Sequence, residues 1–294
     1  MGEVLVLGLI AGGIYGLFAV STVLVYRGSR VLNFAQGEVA TLGLFLAAYL
    51  CTDHGVPWII AAIVAIAFTT AIGVGFERTV VRRMGDSSRV TVAVATVGLL
   101  LFVLSGELVR LGASPKSIRG PIGGIGVNVY GVQVSPTQIL SLVVALVVAL
   151  GLTVLLRRTD FGLGVLAAAQ DTNAARLVGV PVGRVSAFVW GAGAGLTTLG
   201  ALLVAPGLGA FAPGALGRLF LFGLAAAIVG GLTSLPGAFL GGVVVGLVEA
   251  GAGHLFAHAS LPGIRTLAVF VLVLVSLLLR PDGLLGSTSG RRVA

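Results

Sequence analysis

The chain has 294 residues, of which 57% are hydrophobic and only 10% are charged. Soluble domains carry about 25% charged residues, and the mean hydropathy of +1.12 lies far above their range. This composition excludes an ordinary soluble domain and indicates an integral membrane protein. The net charge of +8 would suggest nucleic-acid binding in a soluble protein. In a membrane protein the positive bias of cytosolic loops explains it better, so we expect a lipid bilayer and no nucleic acid as partner.

Nine apolar segments approach the length of about 20 residues that crosses a hydrocarbon core of about 30 Å. The seventh is too short to be secure, and we interpret it as a broken or re-entrant piece. The sequence therefore predicts an all-α polytopic bundle of about eight or nine spans. In chain order the segments cover residues 4–26, 31–50, 58–76, 90–111, 136–156, 185–205, 219–232, 237–256 and 264–279.

The basic residues predict the orientation. If the N-terminus is external, 13 of the 18 Lys and Arg residues fall on the inner side and five on the outer side. This asymmetry is typical of the positive-inside rule, so we predict an external N-terminus and a cytosolic C-terminus. The inner set is Arg27, Arg30, Arg78, Arg82, Arg83, Arg89, Arg157, Arg158, Arg176, Arg184, Arg280, Arg291 and Arg292, and the outer set is Arg110, Lys116, Arg119, Arg218 and Arg265.

Two loops stand out between the spans. Residues 112–135 form an external loop for which we predict a short hairpin through 126–133. Residues 157–184 form the long cytosolic loop, and its periodicity predicts an amphipathic surface helix that ends at Gly179 and Pro181. The predicted apolar face consists of Leu163, Leu166, Ala167, Gln170, Ala174, Leu177 and Val178.

Several activities are disfavoured by the residues that the chain lacks. Lys116 is the only lysine and follows Pro115, so no phosphate-binding loop of the form GxxxxGK[ST] exists. We therefore predict no ATPase activity and no cofactor in this chain. His254 and His258 have the i, i+4 spacing of metal ligands, but without a third ligand we predict no metal site. No convincing internal repeat is present, and we treat residues 1–294 as one transmembrane domain.

Four carboxylates lie near or within the apolar segments, where a charge is costly and marks a candidate site. Glu38 and Glu77 are close to the inner ends of their segments, so solvation at a helix end is an equally good interpretation for them. Glu107 precedes Arg110 by three residues and is positioned for an intrahelical ion pair. Glu249 is placed most deeply, where it is available for a hydrogen bond to a neighbouring helix. We predict Glu107 and Glu249 as candidates for the translocation path.

Four motifs occur in order along the chain. The first, VLNFAQGE at 31–38, contains Asn33, Phe34, Gln36, Gly37 and Glu38. The second consists of Ala169, Gln170 and Asp171, followed by Ala175, Gly179 and Val180. The third, GGLTSLPGA at 230–238, contains Gly230, Gly231, Ser234, Pro236 and Gly237, and the fourth is RPDGLLG at 280–286. Together they resemble the LivH-type permeases of branched-chain amino acid ABC importers.

The sequence departs from the family at two positions, where Gln36 replaces the usual His and Gln170 the usual Glu. Both changes remove a titratable group but keep the capacity to form hydrogen bonds. A proton-dependent role at either position is therefore in doubt. The role in coupling that the resemblance implies for the second motif depends more on shape and surface polarity.

The resemblance implies a permease of the bacterial cytoplasmic membrane that works by alternating access. Its expected partners are two ATP-binding subunits that hydrolyse ATP, a second permease subunit, identical or different, and an extracytoplasmic solute-binding protein. The ATP-binding subunits would act on residues 157–184, the coupling loop. For the turn at 33–38 we favour a structural role on the cytosolic side over contact with substrate.

Two alternatives to an amino acid importer remain. One is a permease of the same superfamily for urea, short amides or another small solute. The other, less favoured, is an ion-coupled secondary transporter that uses Glu107 or Glu249. A membrane-embedded enzyme would need polar residues that converge at one depth, and the sequence shows no such set.

Overall fold

The computed structural model describes residues 1–85, 87–124, 126–257 and 262–286. In these ranges the chain folds into eleven α-helices and one β-hairpin. The helices are α1 (Gly2–Ser29), α2 (Gln36–Ala48), α3 (Trp58–Phe76), α4 (Arg89–Leu111), α5 (Pro136–Arg158), α6 (Asp160–Gln170), α7 (Thr172–Leu177), α8 (Val182–Leu208), α9 (Gly217–Gly230), α10 (Leu235–Leu255) and α11 (Ile264–Leu279). Short π-helical segments, Tyr49–Asp53 and Glu77–Val81, continue α2 and α3.

Each of the nine predicted apolar segments contains a helix. Six helices, namely α1, α3, α4, α5, α8 and α10, are long and apolar enough to cross a membrane. The other three are shorter, since α2 has 13 residues, α9 has 14 and α11 has 16. The chain is thus a multi-pass helical membrane protein. The count of eight or nine spans and the orientation of the termini stay predictions.

The loop at residues 112–135 contains the predicted hairpin. Strand β1 (Val127–Val129) pairs antiparallel with β2 (Val132–Val134). Tyr130 and Gly131 connect the strands, and both have positive φ angles, 51° and 86°. This is the backbone of the tight type I′ turn, whose twist matches that of the paired strands.

Helices α1 and α8 form the centre of the bundle, whereas α3, α4 and α5 expose most of their apolar surface. The most extensive contact joins α1 to α10, and glycines at four-residue spacing form it from both sides. Gly8, Gly12 and Gly16 of α1 lie against Gly242 and Gly246 of α10. Small residues at this spacing let two helix backbones approach closely in lipid, where hydrophobic burial does not drive association.

Candidate functional site

The coupling loop forms two short helices instead of the single helix predicted from its periodicity. Thr159 caps α6, with its hydroxyl accepting from the Gly162 N–H at 3.0 Å. Helix α6 then ends before Asp171. The Asp171 Oδ1 accepts from the N–H groups of Asn173 and Ala174 at 2.9 and 3.0 Å and so caps α7. An aspartate at this position satisfies amide groups that a continuous helix would pair with carbonyls, and it therefore starts a new helix.

The predicted apolar face of the loop is not the side that packs on the bundle. Val165, Ala168 and Ala175 are the residues buried in the core. Leu177 and Val178, placed on the predicted face, are 88% and 78% exposed. The break at Asp171 divides the predicted residues between α6 and α7, so the seven side chains do not share one helix face. The loop consequently presents apolar side chains outward from a base that is anchored in the core.

Further contacts fix the second motif to the bundle. Arg30 at the end of α1 donates from Nε to the Ala169 carbonyl at 3.3 Å. Gly179 ends α7 with a φ of +85°, a conformation that disfavours other residues, and the Val180 N–H then bonds to the Ala175 carbonyl at 3.0 Å. Gln170 and Asp171 are exposed, whereas Ala169 and Val180 are half-buried.

A basic cleft lies beside the coupling loop. It encloses about 490 Å³ and is lined by residues 168–172 together with Arg30, Arg82, Arg89 and Arg176. Arg82 spans one wall, because it donates to the Glu77 carboxylate at 2.8 Å and to the Gly183 carbonyl at 2.6 Å. These contacts tie the end of α3 to the start of α8, so the loop, α3 and α8 meet at one end of the bundle.

The first motif is a turn enclosed by the bundle, and the helix that we predicted from residue 31 begins only at Gln36. The Asn33 Oδ1 accepts from the Ala35 N–H at 3.0 Å, and the Phe34 N–H bonds to the Thr96 hydroxyl of α4 at 3.1 Å. These side chains compete with the helix for backbone groups. Gln36 is buried beside Gly193, near the middle of α8, and Gly37 packs against Phe220 of α9.

The interpretation that Glu38 and Glu77 are solvated at helix ends is wrong, because these residues are only 4% and 1% exposed. Glu77 is paired with Arg82. Glu38 receives a backbone hydrogen bond from Gly214 and interacts electrostatically with Glu107.

The predicted pair of Glu107 with Arg110 is also wrong. Glu107 is 1% exposed, and neither of its carboxylate oxygens has a hydrogen-bond partner among the described residues. The reason is that Glu107 lies on the narrow buried stripe of α4, whereas Arg110 lies on its exposed side. The structure thus brings together two buried carboxylates, Glu38 and Glu107, that are far apart in sequence.

The third and fourth motifs pack against each other. The N–H groups of Leu284 and Leu285 bond to the carbonyls of Val229 and Gly230 at 2.9 and 3.1 Å. A side chain on Gly231 would collide with the backbone of residues 282 and 286. Ser234 caps α10 by accepting from the Gly237 N–H at 3.1 Å, with Pro236 in the first turn. The glycines of both motifs therefore allow a close backbone crossing.

Glu249 makes the predicted kind of contact with a neighbouring helix, accepting a hydrogen bond of 2.6 Å from the Tyr15 hydroxyl of α1. Sequence reasoning missed Tyr15, although a tyrosine in the middle of an apolar span is a usable signal. It also missed Arg218, which we assigned to the outer side on charge alone. Arg218 lies in the first turn of α9, with its guanidinium 5.4 Å from the centre of the Phe222 ring.

Of the two histidines with the spacing of metal ligands, His258 lies outside the described residues. In the ranges that the structure describes, no three His, Cys, Asp or Glu side chains are grouped to hold a metal ion. Nothing in these ranges therefore adds a third ligand to His254.

Comparison with known proteins identifies the family to which the chain belongs. Residues 4–279 match the family model described as "Branched-chain amino acid transport system / permease component". The chain belongs to this family. Its fold also resembles a chain of "PsaBC from Streptococcus pneumoniae in complex with Fab", with a TM-score of 0.51 and 15% identity over 95% of this chain and 93% of that one.

Individual relatives agree along almost the whole length. The chain is 31% identical to the high-affinity branched-chain amino acid transport system permease protein BraD of Pseudomonas aeruginosa, over 98% of this chain and 97% of BraD. It is 26% identical to the permease protein LivH of Escherichia coli, over 97% and 96% of the two chains. The probable LivH of Methanocaldococcus jannaschii is also 26% identical, over 97% and 93%.

Proposed function

We propose that this chain is the transmembrane permease subunit of an ATP-driven importer of branched-chain amino acids in the bacterial cytoplasmic membrane. Its partners are two ATP-binding subunits, a second permease subunit and an external solute-binding protein. Membership of the permease family supports the substrate class, because the named relatives are branched-chain amino acid permeases.

One observation carries the proposed coupling to ATP. The coupling loop exposes Leu177 and Val178 almost fully, while Ala168 and Ala175 anchor its two helices in the core. An exposed apolar patch on a rigid base is typical of a protein interface. Because the chain has no phosphate-binding loop, ATP-driven transport requires an ATP-binding partner, and this patch is where we place its contact.

Force on this patch has a direct path into the bundle. Arg30 links α6 to the end of α1, and α6 and α7 both contact α8. Both linked helices, α1 and α8, form the buried centre. A partner that moves α6 and α7 would therefore shift the central helices between two arrangements, which is the physical requirement for coupling.

Substitutions at the two backbone features of the loop test this role. Asp171→Arg removes the cap of α7, which contributes about 0.5–2 kcal/mol. Gly179→Val places a β-branched residue at a φ of +85°. We expect both variants to insert normally but to lose substrate-stimulated ATP hydrolysis by the assembled transporter.

Asp171→Asn is the matched control, because asparagine keeps the capping oxygen and should retain stimulation. Native stimulation in both the Arg and the Val variants would remove this loop from the coupling role.

An ion-coupled transporter is the second candidate, and the buried pair of Glu38 and Glu107 is the observation that favours it. Unpaired carboxylates within a membrane domain are typical of proton and cation pathways. Leucine uptake that persists without ATP and collapses with the proton gradient would support this candidate over the first.

A further inference from the structure

A second cavity lies at the opposite end of α1 from the coupling loop. It encloses about 560 Å³ between α1 and α10, and the end of α8 and the start of α11 complete its walls. This volume is within the range of about 300–1,000 Å³ that small-molecule sites occupy. Its lining combines apolar side chains with the acidic Glu3 and Glu249 and the basic Arg265, and His254 adds an imidazole.

One wall contains the Glu249 carboxylate, of which one oxygen accepts a hydrogen bond from a neighbouring helix. Tyr15 donates to Oε2 of Glu249 at 2.6 Å. The Tyr15 ring is buried and packs edge-on against Phe222 at 5.3 Å between centroids, so its hydroxyl has a fixed position. Oε1 of Glu249 has no partner among the described residues, and Glu249 lines the cavity, so this oxygen is available to accept a hydrogen bond from a cationic group.

A guanidinium lies one helical turn away. Arg265 of α11 rests on Gly253 of α10, where an added Cβ would come within 2.6 Å of the Arg265 Nε. Gly253 is four residues after Glu249, and side chains at this spacing share a helix face about 5–6 Å apart. In the ranges described by the structure Arg265 makes no ion pair, and its charge is available to an anionic group.

The remaining wall is hydrocarbon, formed mainly by Leu7, Ala11 and Leu208. A ligand that fits all three parts has a cationic group, an anionic group a few ångströms away and an apolar side chain. This is the chemistry of a zwitterionic α-amino acid with an aliphatic side chain. It would compensate both charges, which are costly to leave unpaired in a membrane domain.

We infer that this cavity binds the amino acid as a zwitterion during transport. Glu249 binds its ammonium group, Arg265 its carboxylate, and Leu7, Ala11 and Leu208 contact its side chain. Tyr15 is a positioning residue that orients Glu249. The assignment rests on the proposed function and extends it, since it gives the permease its own contribution to selecting the substrate.

Protection of single cysteines from alkylation tests occupancy directly. Cys51 is the only cysteine, so Leu7→Cys and Leu208→Cys are each introduced into a Cys51→Ser chain. Membranes containing the full transporter, without added binding protein, are treated with N-ethylmaleimide. At leucine concentrations about ten times the dissociation constant, alkylation at both positions should slow about tenfold, following the occupied fraction.

Analogues and variants identify the groups involved. Isopentylamine lacks the carboxylate and 4-methylpentanoate lacks the ammonium group, so neither should protect. Glu249→Gln and Arg265→Gln should each remove protection by leucine at Leu208→Cys. Leu278→Cys, on the exposed surface of α11, is the control and should react at the same rate with and without leucine.

The results separate the two proposals. If the native transporter imports leucine with ATP but leucine protects neither cavity position, the cavity assignment is wrong. Equal protection by either analogue would also overturn it, as would protection that survives both substitutions. If the native transporter shows no ATP-dependent import of branched-chain amino acids, the proposed function fails, and the cavity assignment fails with it.

Discussion

The contact between α1 and α10 gives a prediction whose size follows from the structure. In Gly12→Ala the new Cβ would lie 2.7 Å from the Val243 Cα and 2.9 Å from the Gly242 carbonyl oxygen. Both atoms belong to the backbone of α10, so no side-chain rotation relieves the clash. Carbon atoms prefer separations of about 3.5–4.0 Å, so the helices have to move apart by about 1 Å at this point.

That displacement weakens the most extensive helix pair in the bundle. A gap of about 0.5–1 Å forfeits a quarter to a half of the attraction between the atoms concerned. Overpacking of this kind costs about 1–3 kcal/mol. We expect Gly12→Ala to lower the free energy of unfolding by this amount, measured by denaturant titration of the purified protein in detergent.

Gly98→Ala and Gly151→Ala are the matched controls, because an added Cβ meets no other atom within 4 Å at either position. Alanine is the better helix former by about 1 kcal/mol, so these variants should be as stable as the native chain or slightly more stable. Native stability in Gly12→Ala, or an equal loss of stability in the controls, would show that this glycine contact does not hold the two helices together.

Two further predictions concern the coupling loop and the buried carboxylates. Burial of a leucine contributes about 1.5–3 kcal/mol, so Leu177→Ser should weaken binding of the ATP-binding subunit about 10- to 150-fold in a pull-down titration. Val90→Ser is the control, because it also replaces an apolar side chain that is exposed (72%), and it should not weaken binding. Equal losses in the two variants would contradict a contact at Leu177. Glu107→Gln replaces a buried carboxyl group that has no hydrogen-bond partner among the described residues, so it should preserve or raise the thermal unfolding temperature. Glu77→Gln breaks the ion pair with Arg82 and should lower it; the reverse order would show that Glu107 is paired.

Much of the fold could be predicted from the sequence, because hydrophobicity in a membrane is a local signal. The predicted segments 58–76 and 264–279 coincide with α3 and α11. The second segment failed at its start, where Thr96 of α4 binds the Phe34 N–H and helps to hold residues 31–35 out of the helix. That bond joins residues 62 positions apart, and periodicity along one segment cannot reveal it.

The candidate sites were less predictable, because their contacts join residues that are far apart in the sequence. Composition identified Glu107 and Glu249 as costly charges, but their partners depend on which helices meet. Tyr15 reaches Glu249 across 234 residues of sequence, and Glu38 meets Glu107 through the packing of α2 on α4. In the coupling loop the periodic face was visible, but the capping bonds of Asp171 divide it between two helices.

Transport by the reconstituted system is the most direct test of ATP-driven import through this chain. The chain is purified with its partner subunits, placed in proteoliposomes and supplied with the loaded binding protein outside and ATP inside. We expect uptake of labelled leucine that requires ATP and the binding protein and is lost in Asp171→Arg. Uptake that proceeds without ATP on an imposed ion gradient, or that is unchanged in Asp171→Arg, would contradict it.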